Sequence, residues 1–202
     1  MTITAPTLEV GAKLVKRVLG VTPQKGGEHP QMGTHNLLLR LGDSTFLEII
    51  ACNPSVKKPD RPRWFALDKI KKDTPAKIRT WVVKTKDIQT TLEQCSEDIG
   101  KIEPINRGDT HWLITIPKDG SIPFKGGAPA LIQWKADSHP ATKLVDHGFS
   151  LKKLQIHNPE AKKISRLLNS IDFSGNVEVV ESTNPKIIAF IQTPNGIREL
   201  HA

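Results

Sequence analysis

Three times along this chain a strand-like run is followed by a capped helix pattern and then by more strands, which confines the fold to repeated supersecondary units. The first pass has a short run at Met1–Ala5, then Thr7 as N-cap of a helix with Leu8, Val15, Val18 and Leu19 on one stripe. Gly20 stops that helix, and a hairpin follows, His35–Leu41 and Thr45–Ala51 about the turn Gly42-Asp43. The second pass has a strand at Arg79–Thr85, a helix capped by Asp87 with Ile88, Leu92, Cys95 and Ile99 at helical spacing, and a stop at Gly100. Its further strands are His111–Pro117 and Ala130–Lys135, separated by the loop Lys118–Pro129. A third pass runs from Leu151–His157 through a helix opened by Asn158-Pro159 to strands at Val177–Val180, Lys186–Thr193 and Ile197–Leu200. The period is roughly 70–80 residues, a repeat of pattern with little identity. The expectation is an α+β fold: one βαβββ module over residues 1–75, a second over 76–147, and a partial third over 148–202 packed on the same domain.

Within this frame the stretch Gly26–Ala51 carries the most chemistry. Strand side chains alternate faces, so His35, Leu37, Leu39 and Leu41 share one face of their strand, and Phe46, Glu48 and Ile50 share one face of the next. A mid-strand carboxylate among Phe, Leu and Ile is costly to desolvate unless it is paired, ligated or turned to a wet cavity. His35 opens the neighbouring strand, so the two are candidates for one pocket. The alternatives are a Glu on a solvated face and a hydrogen-bonded structural His. On Ala130–Lys135, Gln133 shares a face with Leu131 while Trp134 points the other way with Ile132, and Gln133 is read as holding in the second half the place of Glu48. Asn53–Pro62 reads as an irregular connector. Trp64 and Phe65 after it belong either to a short helix plugging the core or to a pocket wall.

Composition bounds the rest. With 202 residues, 37% of them hydrophobic and 4 Trp, the chain is expected to fold around a sizeable core. No apolar run reaches membrane-spanning length, and MTITAPTLE lacks the features of a signal peptide. Two isolated cysteines, Cys52 and Cys95, speak for a reducing compartment, with the cytoplasm as default, and against a zinc site built on Cys. The net charge of +8 comes from scattered pairs such as Lys57-Lys58 and Lys162-Lys163, so neither a nucleic-acid stripe nor a membrane surface is expected. Such a surface would enrich a small anionic ligand.

The strings GGEHPQMGTHNLLLRLG, FLEIIA, RPRWFALD and LIQWKADSHP resemble the bacterial glyoxalase-like domain family of the vicinal oxygen chelate superfamily, over about residues 1–195. The resemblance implies paired βαβββ modules forming a cupped, partly open mixed β-barrel of the glyoxalase/dihydroxybiphenyl dioxygenase type. It also implies a divalent metal on the concave face, held by residues of the first and last strands of each module and open to two substrate oxygens. The last-strand positions fall on Glu48 and Gln133. The family's first-strand His aligns ahead of Met1, and its second-module counterpart is Trp81, which cannot ligate a metal. Glu48, Gln133 and His35 are the metal candidates, with His139 or His111 as further stand-ins.

Two functional readings follow. In one the protein is an enzyme of lyase, isomerase or dioxygenase type, with Glu48 as base or ligand and His35 as proton-transfer partner or ligand. Trp64, Trp81 and Trp134 then form pocket wall, and Asn36, Gln133 and His139 contact the substrate. In the other the cup has lost its metal and binds a small molecule without catalysis, as sequestration and resistance proteins of the superfamily do. A homodimer is compatible with either, since superfamily cups are sometimes completed by pairing of chains.

Overall fold

The computed structural model describes residues 1–135 and 139–201. Residues 136–138 of the LIQWKADSHP string lie outside the described residues. β1 (Thr2–Thr4), α1 (Leu8–Leu19), β2 (Gln24–His29), β3 (Thr34–Arg40), β4 (Phe46–Cys52) and β5 (Lys77–Thr80) form the first unit, with a sheet in the order β2-β3-β4-β1-β5. β6 (Val82–Lys84), α2 (Ile88–Gln94), β7 (Lys101–Arg107), β8 (Thr110–Ile116) and β9 (Ala130–Trp134) form a second sheet, β6-β9-β8-β7. In both, the first strand runs parallel to the last, β1 beside β4 and β6 beside β9, so the βαβββ wiring is repeated.

The third unit is β10 (Ser150–Asn158), α3 (Ala161–Ser170), β11 (Val177–Glu181), β12 (Lys186–Thr193) and β13 (Gly196–Leu200), in the order β11-β10-β12-β13. Here the helix joins adjacent parallel strands, β10 and β11, so this unit has its own wiring. The sheets do not close into a barrel. No helix among the described residues is long and apolar enough to cross a membrane.

Local chemistry sets the helix ends. Thr7 Oγ1 accepts from Val10 N at 3.4 Å, and Gly20 leaves α1 in the left-handed region at φ 76°. Asp87 caps α2 by accepting from Thr90 N at 3.1 Å. That helix stops at Gln94, shorter than the spacing of Cys95 and Ile99 suggests. The expected strand Arg79–Thr85 is interrupted at Trp81: β5 continues the first sheet and β6 starts the second. The buried Trp81 ring takes the joint, its Nε1 donating to Gly127 O at 3.0 Å.

Two apolar clusters result. One lies under the helices and joins all three units through residues such as Ile3, Leu47, Ile49, Trp81, Ile156 and Ile191. The other fills the concave side between the first two sheets, with Met32, Ile50, Trp64, Trp112 and Ile114. Both faces of the first sheet are therefore covered.

Candidate functional site

Strand alternation sorts the residues of β3 and β4 between these two sides. Leu47 and Ile49 pack under α1, where Gly11 approaches Ile49 too closely to carry a Cβ. Glu48 and Ile50 consequently face the cup. In register with them are Leu38 and Asn36 of β3, and Thr2 of β1 lies beside Glu48. Glu48 is held from two sides: Asn36 Nδ2 donates to its Oε1 at 2.6 Å, and Thr2 Oγ1 donates to its Oε2 at 3.1 Å. Asn36 is itself fixed, because its Oδ1 accepts from Gly27 N at 2.8 Å and from Arg107 Nη1 at 3.5 Å.

The glycine pair of β2 makes room for this arrangement. A Cβ at Gly26 would sit 2.1 Å from Asn36 Oδ1, and one at Gly27 would sit 2.6 Å from Arg107 Cδ. Arg107, at the end of β7, thus reaches from the second sheet to the carboxylate side of the first. Burial lowers its pKa, and the Glu48 charge works the other way.

Around this polar floor stands an aromatic wall. Trp112 and Trp134 are cross-strand partners on β8 and β9 with ring centroids 5.2 Å apart, and Phe46 and Trp64 complete the wall. His29, 2% exposed, places its ring edge-on to Trp64 and Trp112 at 5.1 and 5.9 Å, with Nδ1 3.1 Å from Thr34 Oγ1. Burial, and then the Arg107 and His35 charges, push its pKa down to about 3, so it is neutral. His139 packs against Phe46 and Trp134 at 5.7 and 5.8 Å. Its Nδ1 accepts from Ala141 N at 3.2 Å, which leaves the proton on Nε2. Burial, helped by Lys84, lowers the pKa of this ring to about 4. The cavity bordered by these residues continues past Trp81 to Leu151, Phe173 and Asn176 of the third unit and measures about 510 Å³ in all.

Glu48, Trp64, Trp81, Trp134 and His139 border this cavity, and Asn36 stands directly behind Glu48. Trp81 is also a core residue, edge-on to Phe173 at 5.5 Å. Two expected members do not reach it. His35 lies on the α1 side of β3, where burial lowers its pKa and the charges of Glu28 and Glu9 raise it, so it cannot share a pocket with Glu48. Gln133 faces α2, its Oε1 accepting from Ile88 N at 2.9 Å, and so it does not occupy the counterpart of the Glu48 position. The cup-facing residues of β9 are Ile132 and Trp134. Residues missed in the sequence are His29, Arg107, Thr2, Lys84, Phe46 and Trp112. Alternation along His111–Pro117 already sets Trp112 with Ile114 and Ile116. Arg107 had no such signal, since Pro104 interrupts the reading of its strand.

The donor set does not fit the superfamily's divalent ion. Of the three candidates only Glu48 faces the cup. Asn36 and Thr2 each hold one of its oxygens, and the Arg107 guanidinium, a positive group, is among its charged neighbours. No three of His, Cys, Asp and Glu converge among the described residues.

A family model described as a glyoxalase-like domain matches residues 1–171. The crystal structure of a hypothetical protein from Staphylococcus aureus has a similar fold, with a TM-score of 0.62 at 14% identity over 95% of this chain and 88% of that one. No curated protein matches the chain.

Proposed function

Because the chain belongs to the glyoxalase-like domain family, we propose that its cup binds a small oxygenated molecule with a flat apolar body, using side chains rather than a divalent ion to hold the oxygens. The observation that carries this reading is the chain of contacts Thr2–Glu48–Asn36–Arg107 on the floor of an aromatic pocket. A carboxylate has about four acceptor sites, and the contacts from Thr2 and Asn36 leave Glu48 able to accept from a ligand hydroxyl. Arg107 and Lys84 offer positive charge to a carbonyl or acidic oxygen. The His139 Nε2 proton adds a neutral donor, and Trp112, Trp134 and Phe46 offer flat faces for an aromatic or planar body.

A catalytic role for Glu48 as proton acceptor is the second reading, favoured by its fixed position beside the cavity. Metal-assisted lyase, isomerase or dioxygenase chemistry would require ligands that this cup does not bring together. Cys52 and Cys95 are free thiols, which favours a reducing compartment.

The test is titration with 1-anilinonaphthalene-8-sulfonate, an aromatic anion, followed by quenching of tryptophan emission. Saturable quenching that survives excess chelator and weakens in Trp134→Ala and Arg107→Met supports the proposal. Quenching that disappears with chelator, or that never saturates, overturns it.

A further inference from the structure

A second cavity, about 530 Å³ and separate from the cup, opens where β5 of the first sheet meets β12 of the third. Strand alternation puts Lys77 and Arg79 on one face of β5, Lys186 opens β12, and Lys125 comes in from the short helical turn Pro123–Gly126. These four cations line the cavity together, and none of its described lining residues is acidic. None of the four joins a salt bridge among the described residues. Salt bridges among the described residues engage a few other basic side chains, among them Arg61 with Glu103, Arg63 with Asp68 and Lys153 with Glu178.

Arg79 is the most constrained of the group. Its Nη2 donates to Pro75 O at 3.4 Å, while its buried Nε has no partner among the described residues. Burial lowers the pKa of both Arg79 and Lys77, and the Arg79 charge lowers that of Lys77 further. Lys125 is held with its backbone in the left-handed region at φ 53°, beside Phe124 at φ 50°. Non-glycine residues adopt that conformation at a cost, and such positions concentrate at binding sites. Like charges gathered around a concave surface repel one another, and the arrangement is relieved most by a ligand carrying several negative charges. A guanidinium fork and mobile ammonium groups are suited to phosphate oxygens.

We infer that this cleft binds a di- or oligophosphate group, such as the pyrophosphate moiety of a small phosphorylated molecule whose organic part rests on Ile122 and Ile187. The site stands apart from the cup, and neither reading depends on the other.

Isothermal titration of the full chain with inorganic pyrophosphate tests this. A single site per chain is expected, weakened in Arg79→Gln/Lys125→Gln by roughly tenfold or more through the loss of charge-assisted hydrogen bonds. The control Lys16→Gln/Arg17→Gln removes the same charge from the exposed face of α1 and keeps the parent affinity. Circular dichroism checks folding, and Lys125→Gln alone, at an exposed position, serves as the readout should the double variant unfold. Absence of binding at low ionic strength, or equal weakening in the two double variants, overturns the inference.

Discussion

Substituting Asp for Asn36 keeps the shape of the side chain but turns the donor that contacts Glu48 Oε1 at 2.6 Å into a carboxylate oxygen. The contact to Gly27 N survives, because the other oxygen still accepts. Two carboxylates with charge centres about 4 Å apart, in an effective dielectric of about 20, repel by about 4 kcal/mol. Arg107, already on the Asn36 side, offsets part of this and leaves about 2–4 kcal/mol, equivalent to about 1.5–3 pH units. One carboxyl of the pair therefore retains its proton in the folded variant up to about pH 6 or 7, whereas in the unfolded chain both ionise near pH 4. Across that window the folded variant binds more protons than the unfolded one, so its stability relative to the parent falls as pH rises, by at most about 1.4 kcal/mol per unit. Below about pH 4 the penalty vanishes, and above about pH 7 it is constant. Urea unfolding of parent and N36D at both ends of the window measures the difference, and the histidine titrations common to both cancel. A penalty of the same size at both ends would refute the placement of Asn36 against Glu48.

His29 carries a second pH dependence. Its folded pKa of about 3 lies below the ordinary value of 6.5, so between these the unfolded chain binds the extra proton and stability rises with pH. His29→Gln should reduce that slope by about 1.4 kcal/mol per pH unit between about pH 4 and 6, measured by urea midpoints. Gly26→Ala should destabilise by about 1–3 kcal/mol and weaken binding of the naphthalene probe, since the new methyl displaces Asn36 from beneath Glu48. Trp81→Phe should cost about 1–3 kcal/mol in thermal unfolding, because it leaves Gly127 O without the indole donor.

The parts of the structure legible in the sequence are those written in local chemistry. Thr7 and Gly20 bound α1, Asp87 opens α2, and the Gly42-Asp43 turn brings β3 against β4. β2 and β7 carry no clear strand signal, because Gly26-Gly27 and Pro104 interrupt their patterns, yet both are edge strands of their sheets, where such residues are tolerated. In the site, alternation separates Glu48 from its neighbours Leu47 and Ile49, and it separates Gln133 from Trp134. It does not say which face is the cup. With α1 covering one side of the first sheet and the second sheet covering the other, both sides of β3 are lined with buried residues, and His35 and Asn36 are equally plausible cavity residues from sequence alone.

Periodicity and caps are encoded within a few neighbouring residues, so the order of strands and helices and the two-sidedness of each strand belong to the sequence itself. The meeting of Arg107 with Asn36, of Trp112 with His29, and of Lys77 and Arg79 with Lys125 and Lys186 belongs to the packing of the sheets. Each joins residues far apart in the chain, and only the packed sheets bring them within reach.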